Sequence, residues 1–359
     1  MALSFFLEAD GPPPAQPEIR IYVDGTSRTL REGQDIELSH WNPNTTNERF
    51  QADSSTEIAL NFLLFGEMPD HGLVVNNHLD VDGILAAYCL LWPETALAHR
   101  EILVGAAETG DFWAWAEAPV LAFYQGLIEV IRAGRAAGRA ESLVHQDCFQ
   151  AIPALLQKGS RAARLDGFHA GPRLIEEGLV QRTLHHHRFV SWRVPRSVHH
   201  GELGRALLIS EFNPSLEDGS LLHMVARNRL DEERVQLVSV EGEGGWYHDL
   251  HYPGYMWALT VNRWRAPGFW EGESSNTWYF RYAPLEKALA RLNQEERGAG
   301  RWHCAEELTP FSSVLGRAFP VVASCLGEDD LPIVSSLGPD TVARELRQAF
   351  TYDLTGQRR

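Results

Sequence analysis

Three side chains that can bind a metal ion occupy alternate positions in the stretch GLVVNNHLDVDG, residues 72–83. They are His78, Asp80 and Asp82. Hard divalent cations prefer carboxylate oxygens, and Mn²⁺ or Fe²⁺ also accepts imidazole. On an extended segment residues i, i+2 and i+4 point to the same side, so the three side chains converge if strand geometry persists into the turn. Without a cation the carboxylates would repel each other, and we therefore predict a metal site in which His78 and Asp82 are also the catalytic residues.

The segments on both sides of this triad predict buried elements. Residues 72–77 predict a short buried strand, and residues 84–92 carry no charge and predict a helix in the core. Strand, acidic turn and buried helix form the unit of an α/β sheet, in which ligands gather at the carboxyl ends of the strands. Gly83 lets the backbone turn sharply, and the helix N-terminus that follows favours anions nearby. The three possible metal ligands therefore lie at the carboxyl end of a strand, where the expected fold places ligand sites.

The remaining sequence predicts an α/β protein with an N-terminal parallel-sheet domain and a smaller C-terminal α/β or α+β domain. EIRIYVDG and the following SRTL predict a small hairpin around Asp24 and Gly25. Ser54 and Glu57 form a capping box that opens a helix ending near Phe65. Residues 93–178 are helical in pattern, and β-branched and aromatic residues predict strands in segments 185–194, 205–212, 235–242 and 246–253. We expect the metal site in domain 1–190 and a substrate or cap domain in 191–359.

Composition excludes several classes of function. The chain of 359 residues has 48 acidic against 32 basic residues, a formal charge of -16, which disfavours nucleic acid and anionic membranes as partners. No segment approaches the roughly 18 uninterrupted apolar residues of a membrane span, and the N-terminus lacks the basic start of a signal peptide. The four cysteines form no CxxC pair, which argues against a zinc knuckle. We expect a cytoplasmic protein, and the scarcity of lysine indicates a GC-rich, bacterial genome.

The stretch HLDVDG resembles the first motif of the DHH-type phosphoesterases, an HxDxDG or DxDxDG signature at the end of the first strand. The resemblance implies a parallel α/β domain linked to a smaller one, and hydrolysis of phosphate esters or anhydrides with two Mn²⁺ or Mg²⁺ ions. It implies Asp80 and Asp82 as metal ligands, with His78 as a ligand or a close neighbour. Asp111 in ETGDFW matches, by position, the family's second motif, a lone aspartate that bridges the metals. The family's third motif, Asp-His-His, is absent from this chain.

Other polar residues are candidates for substrate binding. They are His186 and His187 in LHHHRF, His199 and His200 in SVHHGEL, and His40 and Asn42 in the loop SHWNPNT. Each has an ordinary interpretation as an exposed strand edge or a turn. The three residues His78, Asp80 and Asp82 also have an interpretation without a metal, in which Asp82 is the N-cap of the following helix and Asp80 is solvated in the turn.

The function that these residues favour is a metal-dependent hydrolase, a phosphoesterase that acts on a small anionic substrate through a water activated by Mn²⁺ (or Mg²⁺ or Fe²⁺). A mononuclear site on His78, Asp80, Asp82 and Asp111 is the alternative to two ions. Two other functions stay open: a metal-dependent enzyme of bacterial specialised metabolism that performs lyase, amide-hydrolysis or condensation chemistry, and a non-catalytic ligand-binding relative. A homodimer is also left open.

Overall fold

The computed structural model describes residues 2–15, 19–158, 165–203, 212–252, 257–262, 283–305 and 313–350. The chain folds into two compact units, and neither is a single continuous segment. The first consists of Met1–Ala163, Phe212–Ser215 and Trp257–Arg263, and the second consists of Arg164–Glu211, Leu216–Met256 and Trp264–Arg359. The boundary expected at 190/191 lies inside a strand of the second unit.

A four-stranded parallel sheet forms the centre of the first unit. Its strands are β1 (Ala2–Leu7), β2 (Arg20–Val23), β3 (Ile36–Leu38) and β4 (His71–Asn76), in the order β1-β4-β2-β3. All three pairings are parallel, so the carboxyl ends of the four strands lie at one edge. The helices are α1 (Ser55–Phe65), α2 (Val81–Leu91), α3 (Pro93–Ala98), α4 (Arg100–Asp111), α5 (Ala118–Ala136) and α6 (Glu141–Lys158). The parallel α/β sheet expected for the N-terminal half is present.

The hairpin predicted around Asp24 and Gly25 is wrong. Both residues do adopt left-handed φ angles, 52° and 66°, as the turn required. The next strand, however, pairs with β2 in parallel, with Ile21 opposite Ile36. The chain therefore returns through residues 26–35 to the start of the sheet, and Asp24 is left at its carboxyl edge.

The helix and strand signals around the predicted site are confirmed. The hydroxyl of Ser54 accepts a hydrogen bond from the Glu57 amide at 3.2 Å, and α1 ends at Phe65. β4 is a buried strand in the middle of the sheet, which explains its run of apolar residues. α2 follows it with every residue from Val81 to Leu90 buried.

The second unit contains a separate, mixed six-stranded sheet. Its strand order is β5-β6-β7-β8-β10-β9, and only β6 and β7 are parallel to each other. The strands are β5 (Gln181–His186), β6 (Phe189–Val194), β7 (Val235–Glu241), β8 (Trp246–His251), β9 (Arg301–Cys304) and β10 (Val321–Leu326). The helices are α7 (Asp166–Glu176), α8 (Arg196–His199), α9 (Met224–Asp231), α10 (Ala283–Glu295) and α11 (Pro339–Arg347). The strands expected in 185–194, 235–242 and 246–253 are confirmed, whereas 205–211 lie outside the described residues.

Across the part of the chain that the structure describes, no helix combines the length and the apolar character that crossing a bilayer requires.

A short segment from the second half of the chain, residues 257–262, completes the first unit. The Leu259 amide donates to the His40 carbonyl at 2.6 Å, and the Asn42 amide donates to the Trp257 carbonyl at 2.8 Å. The buried carboxylate of Asp53, just before α1, accepts hydrogen bonds from the backbone amides of residues 261 and 262 at 2.7 and 2.9 Å and from the side chain of residue 262. Asp53 therefore fastens the returning segment to the start of α1.

We expect Asp53→Ala to lower the free energy of unfolding by about 1–3 kcal/mol, because it removes the acceptor of several charge-assisted hydrogen bonds. Chemical denaturation of the full chain measures this change. Asp147→Ala is the matched control, since Asp147 is about one-third exposed and its one ion-pair partner among the described residues is Arg139 on the surface. The control should cost less than about 1 kcal/mol. Equal losses in the two variants would show that Asp53 does not anchor the segment.

Candidate functional site

Six side chains that can bind a metal gather at the carboxyl edge of the parallel sheet. Asp24 directly follows β2, His40 follows β3, and His78 follows β4. The other three belong to helices or their caps: Asp80 precedes α2, Asp82 lies in its first turn, and Asp111 is the last residue of α4. All six lie in the first unit. The ends of three strands thus supply the cluster together with two helix ends.

The six residues include two overlapping groups, in each of which the three ligand atoms lie within 4.8 Å of one another. We call Asp24, His40 and Asp82 the inner triad, because all three are buried. We call Asp24, His78 and Asp80 the outer triad, because the side chains of His78 and Asp80 are 35% and 13% exposed. Asp24 belongs to both triads.

Asp24 presents a different oxygen to each triad. Its Oδ1 lies 3.3 Å from Nε2 of His40, and its Oδ2 lies 3.4 Å from Nε2 of His78. Oδ1 also accepts hydrogen bonds from the indole of Trp41 at 2.9 Å and from the hydroxyl of Ser55 at 3.0 Å. The carboxylate is therefore fixed in orientation, with one oxygen toward each histidine.

The inner triad has the spacing of ligand atoms around a common ion. Nε2 of His40 lies 3.3 Å from Asp24, 3.5 Å from Asp82 and 3.6 Å from Asp111. Atoms that share an ion at about 2.1 Å are separated by about 3.0–3.4 Å. Nε2 of His40, Oδ2 of Asp24 and Oδ2 of Asp111 are all buried and have no hydrogen-bond partner among the residues that the structure describes. Buried polar atoms are seldom left in this condition, and a cation would satisfy them. The residues fit a metal.

Both histidines are held with Nε2 toward the cluster. Nδ1 of His40 lies 2.5 Å from the backbone carbonyl of Asp53, and this oxygen can only accept. Nδ1 of His78 donates to the side-chain oxygen of Asn77, whose amide group in turn donates to the Thr26 carbonyl. A neutral imidazole that donates from Nδ1 carries its lone pair on Nε2, which is the arrangement that a metal ligand needs.

The two aspartates of the motif also interact with helix N-termini. Asp80, not Asp82, is the N-cap of α2, and it accepts from the Gly83 amide at 2.7 Å. Asp82 instead accepts from the Ser55 and Thr56 amides in the first turn of α1, at 2.7 and 2.8 Å. The capping interpretation therefore named the wrong residue, and Asp80 is not simply solvated. These bonds orient both carboxylates, and each carboxylate has an oxygen within 4.8 Å of Asp24.

Asn76, the last residue of β4, shapes the turn that carries His78. Its side chain donates to the His78 carbonyl at 2.9 Å and accepts from the Asn77 amide at 2.7 Å. Gly83 is needed for its small size, because a Cβ there would lie 2.3 Å from the Asn76 side-chain nitrogen. The expectation that Gly83 makes a sharp turn is wrong, since it is already the third residue of α2.

The pKa values of both histidines are raised when no cation is present. Burial opposes the charge on His78, but the carboxylates of Asp80 and Asp24 outweigh it and raise the pKa of His78 to about 10. Burial likewise opposes the charge on His40, whereas the neighbouring carboxylates of Asp24 and Asp82 raise the pKa of His40 above its usual value.

The pKa values of the carboxylates shift in opposite directions. Burial and the charge of Asp24 raise the pKa of Asp82 to about 6. Burial and the charge of Asp82 raise the pKa of Asp111 well above its usual range. Burial would also raise the pKa of Asp24, but the two histidines beside it lower that pKa to about 2. The metal-free cluster thus holds protons where a cation would otherwise balance the charge.

Aromatic rings close the inner side of the cluster. The ring of Trp257 packs edge-on against His40, with centroids 5.1 Å apart, and stacks on Phe112 at 5.7 Å. The side chain of Asn213, from the other returning segment, accepts from the Val81 amide at 3.0 Å. Two segments from the second half of the chain therefore contact the candidate site, and no local sequence pattern predicted this.

The residues predicted to bind substrate are divided between the two units. His40 is part of the inner triad, and the backbone of Asn42 is bonded to Trp257. The two histidine pairs belong to the second unit. His186 lies near the Arg347 carbonyl at 3.1 Å, and buried His199 lies near the Glu241 carbonyl at 2.7 Å, while His187 and His200 are exposed.

Sequence reasoning missed Asp24 and gave His40 a lesser role. Asp24 follows the buried strand of EIRIYVDG just as His78 follows β4, and this repetition was an available signal. It was hidden because the Asp-Gly pair predicted a hairpin, which would have turned Asp24 away from the other strand ends.

Residues 12–144 match a protein family described as a family of unknown function (DUF6687). No curated protein and no solved structure matches the chain. The matched segment contains both triads and Asp111, whereas the histidine pairs of the second unit lie outside it.

We expect Asp111→Asn to stabilise the metal-free protein at alkaline pH and to weaken metal binding. A raised carboxyl pKa means that ionisation costs stability in the folded state, so the cost is absent in acid and grows as the pH rises above the usual carboxyl pKa. Asparagine has nearly the same shape and stays neutral, and the variant should therefore equal the wild type near pH 4 and exceed it by about 1–3 kcal/mol at pH 8.

Denaturation in EDTA across this pH range measures the first effect, and calorimetric titration with Mn²⁺ measures the second. The Mn²⁺ affinity should fall at least about tenfold. Asp147→Asn serves as the surface control. Unchanged Mn²⁺ affinity in Asp111→Asn would remove Asp111 from the site.

Metal binding should release protons at neutral pH. His78 and His40 both have raised pKa values, and a metal ligand must be deprotonated. We therefore expect Mn²⁺ to displace at least one proton per chain at pH 7, and its affinity to increase as the pH is raised. Calorimetry in buffers of different ionisation enthalpy counts the protons. Binding without proton release would contradict coordination by His78.

Proposed function

We propose that this protein is a metal-dependent hydrolase that binds two divalent cations side by side, one at each triad. The observation that carries the proposal is the position of Asp24, which belongs to both triads and turns one oxygen toward each histidine. Carboxylates shared in this way are a feature of two-metal sites, whose ions lie about 3.5–4 Å apart. The proposal takes the two-ion alternative over the mononuclear one.

The nature of the ligands supports Mn²⁺ or a chemically similar ion. Asp24, His40, Asp82 and the adjacent Asp111 would hold the inner cation, and Asp24, His78 and Asp80 would hold the outer one. Four carboxylates and two imidazoles suit Mn²⁺, Mg²⁺ or Fe²⁺, while no thiolate is present to favour a softer ion. The third motif of the DHH-type pattern, Asp-His-His, is absent downstream of Asp111. We propose that Asp24 and His40, which come earlier in the chain, take its place as ligands.

The two triads have different roles in the proposed reaction. The inner triad is buried behind Trp257 and Phe112. Its residues would therefore hold and orient the inner cation without contacting the substrate. The outer triad is partly open at His78 and Asp80, and the substrate would approach there. When bound, such cations act as Lewis acids that lower the pKa of a water and stabilise negative charge developing on the substrate.

A small anionic substrate, a phosphate ester in the first instance, fits this arrangement. Without cations the cluster of carboxylates would repel an anion, whereas two divalent cations formally balance four carboxylates. Substrate binding would then depend on metal loading. The DHH-like motif HLDVDG is the further support for phosphate chemistry.

Metal analysis and turnover test this proposal together. Wild-type protein incubated with Mn²⁺ and desalted should retain two ions per chain and hydrolyse generic phosphodiester or phosphomonoester substrates. Asp24→Ala should lose most of the metal and reduce turnover at least about a hundredfold, because both triads lose a ligand. Asp147→Ala should keep both properties.

Other outcomes are equally informative. Absence of bound metal in the wild type would overturn the proposal. Full loading without hydrolysis of any phosphate substrate would retain the metal site and reject the phosphoesterase activity.

A further inference from the structure

An arginine contacts the turn that carries the outer triad. Arg135 lies in the last turn of α5, and its side chain is exposed. Its Nη2 donates a hydrogen bond to the Leu79 carbonyl at 3.2 Å. This carbonyl belongs to the peptide group that joins Leu79 to Asp80, so the guanidinium touches the backbone immediately before an outer-triad ligand.

Arg135 has no acidic partner among the described residues, which distinguishes it from its neighbour. Four residues along the chain, Arg139 pairs with Asp147 at 2.9 Å. For Arg135 the carbonyl of Leu79 is the protein contact. A guanidinium has five N–H donors in a planar fork, and one bond to a carbonyl leaves most of them available. The chain carries a formal charge of -16, yet no described acidic side chain forms an ion pair with this exposed arginine.

We propose that Arg135 binds an anionic oxygen group of the substrate, a phosphate or a carboxylate, beside the outer triad. The inference rests on the proposed function, because the substrate is taken to approach the open side of the cluster at His78 and Asp80. It adds a residue that selects the class of substrate: molecules with an oxyanion a short distance from the bond that is hydrolysed.

The charges near the outer triad give the physical reason. Two divalent cations would formally neutralise the carboxylates of Asp24, Asp80, Asp82 and Asp111, and a bound oxyanion then adds negative charge with nothing left to balance it. An arginine fork matches two oxygens of a phosphate or carboxylate and supplies the missing positive charge. The bond to the Leu79 carbonyl limits the motion of the side chain, so less conformational entropy is lost on binding.

Binding of inorganic phosphate to the Mn²⁺-loaded full-length protein tests the inference. The measurement is calorimetric titration with phosphate after Mn²⁺ stoichiometry and affinity have been determined for each variant. Arg135→Gln should raise the phosphate Kd by about tenfold or more, because a charge-assisted contact is lost. Arg135→Lys should fall between this variant and the wild type, since it keeps the charge without the fork.

Arg139→Gln is the matched control, because Arg139 is a nearby surface arginine whose charge is already paired. Its phosphate Kd should stay within about twofold of the wild type. All three variants should keep the wild-type stoichiometry and affinity for Mn²⁺. If Arg135 only supported the turn, Arg135→Gln would weaken Mn²⁺ binding through Asp80, and this result would overturn the inference.

Failures of the two proposals can be told apart. A wild type that takes up no Mn²⁺ rejects the proposed function and the role of Arg135 with it. A wild type that binds two Mn²⁺ ions but no phosphate, or that binds phosphate as tightly as Arg135→Gln does, rejects the role of Arg135 and leaves the metal site intact.

Discussion

Mutual repulsion among buried carboxylates is the constraint on which this site depends. Asp24, Asp82 and Asp111 are almost entirely removed from water, and His40 has oxygen atoms from all three within 3.6 Å. Carboxylates gathered around one imidazole in a poorly solvated environment require positive charge among them. The raised pKa values favour histidines that are protonated and positive, and an Asp111 that is protonated and neutral, whereas bound cations would supply the positive charge instead. The pKa values around the cluster shift in opposite directions because burial raises those of Asp82 and Asp111, whereas the carboxylates outweigh burial and raise those of the histidines, and the histidines lower that of Asp24.

The fold holds this unfavourable arrangement through contacts on its outer side. Backbone amides at the start of α1 hold Asp82, the first turn of α2 holds Asp80, and Trp41 and Ser55 hold Asp24. Helix N-termini carry partial positive charge, so each bond both orients a carboxylate and lowers the cost of burying it. Helix capping and metal binding were alternatives when only the sequence was considered. In the structure the carboxylates of Asp80 and Asp82 both accept hydrogen bonds from amides at helix N-termini, and their oxygens keep lone pairs that a metal could use.

The parts of this arrangement that depend on local sequence were predictable, and the parts that depend on distant pairing were not. The strand before His78, the cap at Ser54 and the buried helix α2 follow from patterns within a few residues. The role of Asp24 depends on whether β3 pairs with β2 in parallel or antiparallel, and an Asp-Gly pair gives the same local signal in either case. The contacts of Asn213 and Trp257 join positions more than a hundred residues apart, and a single sequence contains no record of such pairing. The capping interpretation named Asp82 in place of Asp80 through a smaller error, since the helix begins one residue after Asp80 and not after Asp82.

The first unit consists of three separate stretches of the chain, so its parts are synthesised at different times during translation. A ribosome that has released residues 1–163 has produced every ligand of the cluster, yet Trp257, which covers His40, has not been synthesised. Until about a hundred further residues have emerged, His40 lacks the ring of Trp257 that packs against it. If the inner triad binds a metal as proposed, that ion could enter during translation, and the arrival of Trp257 would then enclose it.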